Sequence, residues 1–247
     1  MKQIFQVPLI SSKLLLPFIE CCLLNNIDIK HHFSKVEAED LYDEIKRNEY
    51  RAISALIYRK ILHSLELAGH KDVAFYAAMD HSRDYFQSLH NIIKEETVTV
   101  SDALVRLVIL LNQSMTTKKY FYLESSYDGI FLVRDNSATI SIGNVMAETY
   151  TMTGILIVLS KLFDKYYSPP ILWLAQSGNT LMAQWLKNTH IFFNKKQSKI
   201  FIEKKVYKED LISLNKNIQS SQEWFLKTKS TTDKITEFLN AYNTETP

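Results

Sequence analysis

The sequence predicts an α+β fold: a helical N-terminal half packed on a small mixed or antiparallel sheet with crossing helices, followed by a C-terminal linker helix. Three observations carry this. Up to Gln113, apolar residues recur at spacings of three and four, the period of a helix with one buried face. Beyond Gln113 the period falls to two, in short aromatic runs bounded by turn residues. With 247 residues and 46% hydrophobic content, the chain is long enough to bury a sizeable core.

In chain order, residues 2–7 read as a short strand. Ser11 and Ser12 supply caps for a helix to about Leu24, with Pro17 tolerated in its first turns, and "NNID" at 25–28 closes it. Ile53, Leu56, Ile57, Ile61 and Leu65 fall on one stripe and predict a helix that Gly69 stops. "DVAFYAAM" and "DYFQSLHNII" read as two more helices. "VSDALVRLVILLNQ" follows, with Ser101 as the expected cap and Leu104, Leu107, Val108 and Leu111 on one face. "KKYFYLES" and "GIFLVRD" read as strands around a turn at 125–129, and "TISIG" as an extension of the sheet. An apolar helix is expected over 145–166, broken by Ser168-Pro169-Pro170. "ILWLA" is a strand, "NTLMAQWLKN" a short helix, and "HIFFN" with "KIFIE" a hairpin. Residues 215–230 are polar. "TTDKITEFLNAYN" then puts Ile235, Phe238, Leu239 and Tyr242 on one stripe of a helix over 232–242. The organisation expected is a domain over 1–214, helical to about 114 and α/β beyond it, with a linker over 215–247.

Charge and composition narrow the function classes. Twenty-nine basic residues against 27 acidic ones leave a net charge of +2, little footing for duplex DNA binding by these residues themselves. The two cysteines, Cys21 and Cys22, are adjacent and cannot staple a fold. They read as reduced thiols on a helix, with a redox switch as the alternative. Apolar runs such as 155–159 fall short of the roughly 20 residues of a membrane span. With no secretory signal at the start, a cytoplasmic location is expected.

Candidate site residues come from the strands. Tyr120 and Tyr122 share a predicted strand face, and with Trp173 they are candidates to line an apolar pocket with polar tips. Glu124 and Arg134 end runs on either side of the turn at Asp128-Gly129. Paired strands would bring them together, either as an ion pair or with Arg134 anchoring a ligand carboxylate. Core packing explains the aromatics equally well. His31, His32, His63, His70, His81, His90 and His190 lack ligand spacing, so no metal is expected, and no cofactor motif occurs. No nucleophile–base pattern is visible, so no enzymatic activity is expected.

The segments "SDALVRLVILLN", "YFYLESSYDGIFLV" and "PPILWLAQSGNTLMAQWLKNTHIFFNKKQSKIFIEKKVYKEDL" together resemble the amino-terminal regulatory domain of AraC/XylS-type transcription regulators of the arabinose-binding-like kind. Phe193 matches the aromatic before the family's last turn, and Leu211 its closing leucine. The stretch "DVAFYAAMD" departs from the family, whose relatives carry a "GLRLG"-like run there. The resemblance implies a bacterial, cytoplasmic, homodimeric effector sensor. It would bind a small molecule between its helical half and its sheet; the aromatic strands over 119–123 and 171–174, with Arg134 as candidate anchor, point separately to a mostly apolar ligand with one anionic group. The 232–242 helix then passes the signal to a C-terminal helix-turn-helix domain absent from this chain. Helices 145–166 and 232–242 are the expected dimer surfaces. The rival readings are a dimerisation-only module and an enzyme using the same pocket.

Overall fold

The computed structural model describes residues 8–80, 85–97, 99–113, 120–135, 140–163, 166–176 and 180–207. The expectations for 2–7, for His81, for Leu211 and for the linker and helix of 215–247 lie outside these residues. What is described is an α+β arrangement, as the change of period predicts.

The helical part opens with β1 (Leu9–Ser11), which pairs antiparallel with β2 (Ala52–Ser54). A 3-10 turn, Ser12–Leu15, leads into α1 (Leu16–Leu24). Ser11 Oγ accepts the Lys13 N–H at 3.2 Å, and Pro17 occupies the first turn of α1, where its missing N–H costs nothing. Then follow α2 (Ile29–Ser34), α3 (Glu39–Lys46), α4 (Ala55–Leu67), α5 (Val73–Asp80), α6 (Tyr85–Glu96) and α7 (Val100–Gln113).

Two boundaries differ from the sequence reading. Ile53 belongs to β2, opposite Ile10, and α4 begins only at Ala55, where Ser54 Oγ accepts the Leu56 N–H at 3.1 Å. The buried stripe of α4 is therefore Tyr58, Ile61, Leu62 and Leu65, and Leu56 is exposed. For α7 the cap is Thr99, two residues before Ser101. Thr99 Oγ1 accepts the Asp102 N–H at 3.1 Å and donates to the Asp102 carboxylate at 2.8 Å, while Ser101 is buried inside the helix. The stop at Gly69 holds, at φ +86°.

The second part contains β3 (Phe121–Ser125), β4 (Gly129–Asp135), α8 (Asn144–Leu162), β5 (Ile171–Trp173), α9 (Thr180–Trp185), β6 (His190–Phe192), β7 (Gln197–Glu203) and α10 (Lys204–Tyr207). Residues 140–143, just before α8, end in a turn and add no strand to the sheet. Gly143 caps α8 at φ +62°, and a Cβ there would stand 2.3 Å from the Arg59 carbonyl oxygen.

The helix α8 runs through the core, packed by α4, α5 and α6. A Cβ on Gly154 would collide with the Phe86 ring, so this glycine lets α6 lie directly on the α8 backbone. With 19 residues and a window hydropathy of 1.2, α8 is long and apolar enough to cross a membrane, but 67% of that window is buried inside the protein. Most of its apolar side chains are covered by its own chain.

The five-stranded sheet has the order β3-β4-β7-β5-β6, with β5–β6 parallel and the other pairs antiparallel. The expected hairpin of 191–205 is therefore not one. β6 and β7 are both strands, but β5 lies between them. The connection crosses the end of β5: Leu174 N–H donates to Phe192 O at 2.8 Å, Lys195 N–H donates to Leu174 O at 3.0 Å, and Asn194 sits at φ +57°. Two strand spacings are roughly 10 Å, within the reach of four residues. The arrangement suits the side chains. β7 is buried along its middle five residues and takes a central place, whereas β6 is half-exposed and takes the edge.

Candidate functional site

Strand alternation sorts the sheet into two faces. The register places Phe121, Arg134 and Ser198 side by side, in line with Leu132, Ile200 and Leu172, on the inner face that packs against the helices. Glu124, Phe131, Phe201, Lys199 and Trp173 fall on the outer face.

The inner face carries a buried charged cluster. Arg134, from β4, is only 8% exposed. Glu148, one turn into α8, is buried and accepts the Ala175 N–H at 2.8 Å, the Gln176 N–H at 2.9 Å and the Ser198 hydroxyl. It thereby ties α8 to the turn after β5 and to β7. From α4, Arg59 Nη1 donates to Gly143 O at 2.9 Å. Seven residues along α4, Glu66 accepts the Met146 N–H at 2.9 Å and contacts His63 at 3.3 Å, so it occupies the N-terminal turn of α8.

These groups feel one another's charge. Burial pushes the Arg134 guanidinium down to about 10, Arg59 pushes it the same way, and Glu148, Tyr58 and Tyr120 oppose them. Burial likewise lowers Arg59, with Tyr58, Glu66, Tyr120 and Glu148 opposing. The Tyr58 phenol is pushed up to about 12, chiefly by burial, and is neutral at physiological pH. Two guanidiniums, two carboxylates and two phenol-bearing side chains thus gather at the junction of helices and sheet.

The outer face is built differently. Lys199 Nζ contacts Glu124 at 2.6 Å and lies over the rings of Phe131 and Trp173, at 5.5 and 5.2 Å from their centroids. Phe131 also packs on Trp173 and Phe201. Tyr122 Oη accepts from Gln197 Nε2 at 2.9 Å.

The five sequence candidates therefore do not converge. Arg134 and Tyr120 belong to the inner cluster, whereas Tyr122, Glu124 and Trp173 belong to the outer face. Tyr120 precedes β3; its N–H is taken by Asn112 Oδ1 at 2.9 Å. Glu124 stands opposite Phe131, not Arg134, so the two charges expected to meet across the turn lie on opposite faces. Sequence reasoning missed Arg59 and Glu148. Arg59 is one of several charges on an amphipathic helix and carries no mark. Glu148 had one: it is the only charged residue between 144 and 160, in an otherwise apolar helix.

The cysteines are buried, with Cys21 pushed up to about 11 and Cys22 to about 12, mainly by burial. Such thiols are protonated and poorly nucleophilic, which disfavours the redox alternative. Among the described residues no three His, Cys, Asp or Glu side chains gather as metal ligands. No protein-family profile matches the chain, and no curated protein matches it.

Proposed function

We propose that this chain is the ligand-sensing regulatory domain of a cytoplasmic, homodimeric transcription regulator of the AraC/XylS type. Its effector is a small, mostly apolar molecule with one anionic group. A helix-turn-helix domain further along the full-length protein reads the DNA. The sequence segments that resemble the family support that reading, and one observation carries the ligand class: a buried guanidinium, Arg134, on the sheet face that packs against the helices. An anion at that position contacts both parts of the domain, so its binding energy can shift an equilibrium between their arrangements.

Native mass spectrometry of the freshly purified protein tests for a retained small molecule. A thermal-shift panel of fatty acids, aromatic acids and sugars then sorts the class. Stabilisation by acids is expected; a sugar that stabilises strongly while no acid does refutes the ligand assignment.

A further inference from the structure

Positive charge in this chain is concentrated at one place in the fold. Residues 190–207 carry five lysines and one acidic residue, while the whole chain has a net charge of only +2. These residues supply β6, β7 and α10. Lys195 and Lys196 precede β7 and Lys204 and Lys205 follow it, so two lysine pairs stand roughly 25 Å apart at the ends of one central strand. All four are exposed, and among the described residues only Lys205 meets a carboxylate, that of Glu203 at 2.7 Å.

The outer sheet face beside them is closed on one side and open on the other. Over β4, two side-chain bridges join β7 to β3: Gln197 to Tyr122, and Lys199 to Glu124. Val133 stands between Tyr122 and Lys199 in register and is fully buried. Among the described residues no such bridge crosses toward β6. There Trp173 and Phe192 are register partners, Trp173 half-buried and Phe192 45% exposed. Lys195 Nζ lies 5.7 Å from the centroid of the Trp173 ring and 5.5 Å from that of Phe192. The Lys199 ammonium is held by Glu124, whereas that of Lys195 has no carboxylate beside it among the described residues.

We propose that this open side of the outer face, with Trp173, Phe192 and Lys195 at its centre, binds single-stranded nucleic acid. It is a second site, separate from the small-molecule site on the inner face. Charge and rings select the partner together. An unpaired base can lie on an exposed ring, and a base stacked at Phe192 brings its own phosphate within reach of Lys195. The lysine pairs at the two ends of β7 extend the contact along the phosphate backbone. A duplex keeps its bases in the stack and offers the rings nothing. An acidic peptide would meet the ammoniums but leave the rings without planar partners. Shielding of the sheet edge accounts for Lys195 and Lys196 beside β6, but not for Lys204 and Lys205, which follow a central strand.

Fluorescence anisotropy on the full chain tests this, with labelled oligo-dT and oligo-U of about twelve nucleotides and a duplex of the same length, at about 50 mM salt. Both single strands are expected to bind, and the duplex to bind about fivefold or more weakly. Phe192→Ala should weaken the single strands about fivefold or more, because one stacked base loses its ring. Lys195→Gln should lower the slope of log affinity against log salt by about 0.7, the share of one phosphate contact on a single strand; it carries the test if Phe192→Ala does not fold. Failure of the single strands to bind, a duplex that binds as tightly as they do, unchanged single-strand affinity in Phe192→Ala, or an unchanged salt slope in Lys195→Gln overturns the site. Displacement of the strands by polyglutamate at equal charge concentration also overturns it, and makes the face a site for acidic protein. None of these results bears on the small-molecule reading of the inner face.

Discussion

The two faces of the five-stranded sheet each bury one cation to the same degree, Arg134 inside and Lys199 outside, both 8% exposed. Their surroundings differ. Lys199 has a carboxylate at 2.6 Å and two aromatic faces beneath its ammonium. Such an arrangement accounts for its charge within the fold. Arg134 has mixed neighbours: Arg59 makes its charge harder to hold, and Glu148 makes it easier. Equal burial therefore says little about which charge is functional. The informative difference is whether the charged neighbours all neutralise the cation or include a like charge as well.

The largest effect that tests this contrast comes from the one carboxylate that serves the inner cluster and the backbone together. Glu148→Ala removes the acceptor of the Ala175 and Gln176 N–H groups and of the Ser198 hydroxyl, and it leaves buried Arg134 and half-buried Arg59 without that counter-charge. A loss of about 3–5 kcal/mol is expected, the range for breaking a buried charged network by removing one partner. Chemical denaturation measures it. A loss below about 1 kcal/mol would mean that water already reaches these groups, and the inner face would then resemble the outer one.

The outer face should respond less. Lys199→Met leaves Glu124, whose side chain is 42% exposed and can be solvated, and keeps an apolar stem on Phe131 and Trp173. Loss of the ion pair and of the cation–π contacts is expected to cost about 1–2 kcal/mol, with no change in the thermal shift that fatty acids or aromatic acids produce. Changed binding in this variant would move the ligand site to the outer face, where Tyr122 and Trp173 stand.

How far the sequence could be read follows the same division between local and distant information. The spacing of Leu104, Leu107, Val108 and Leu111 encodes a buried helix face, and all four are buried. The apolar runs around Ile191 and Ile200 encode strands, and strands are found. Which strands pair is not local: β5 entered between β6 and β7, and only the burial of β7 on both faces marks it as central. For the site, the alternation within β3 and β4 already decides that Glu124 and Arg134 face apart once the register is known, and the register depends on the turn. Arg59 could not be found that way, because α4 meets α8 through a contact 84 residues apart in sequence.

The smallest expected effect comes from a third way of burying a basic group, which is to keep it neutral. His32, on α2, is 4% exposed, and its Nδ1 lies 2.8 Å from Ser64 Oγ on α4. Burial, followed by Lys35, His70 and His31, holds its imidazole below the usual histidine range, with Asp28 opposing. Ring centroids of His31 and His70 stand 5.9 and 6.1 Å from that of His32, so a proton on either adds to the strain of a second. In the unfolded chain the same imidazole titrates near about pH 6.5. Above that value neither state binds the proton and stability is unaffected. As pH falls below it, the unfolded state takes up a proton that the folded state resists, so stability declines until the folded imidazole is protonated as well. Melting temperature should therefore drop between about pH 7 and pH 5, and His32→Gln should drop less over the same interval. Gln keeps a group able to bond Ser64 and removes the titration. An identical drop in wild type and variant would assign the acid sensitivity elsewhere and leave His32 as an ordinary packed side chain.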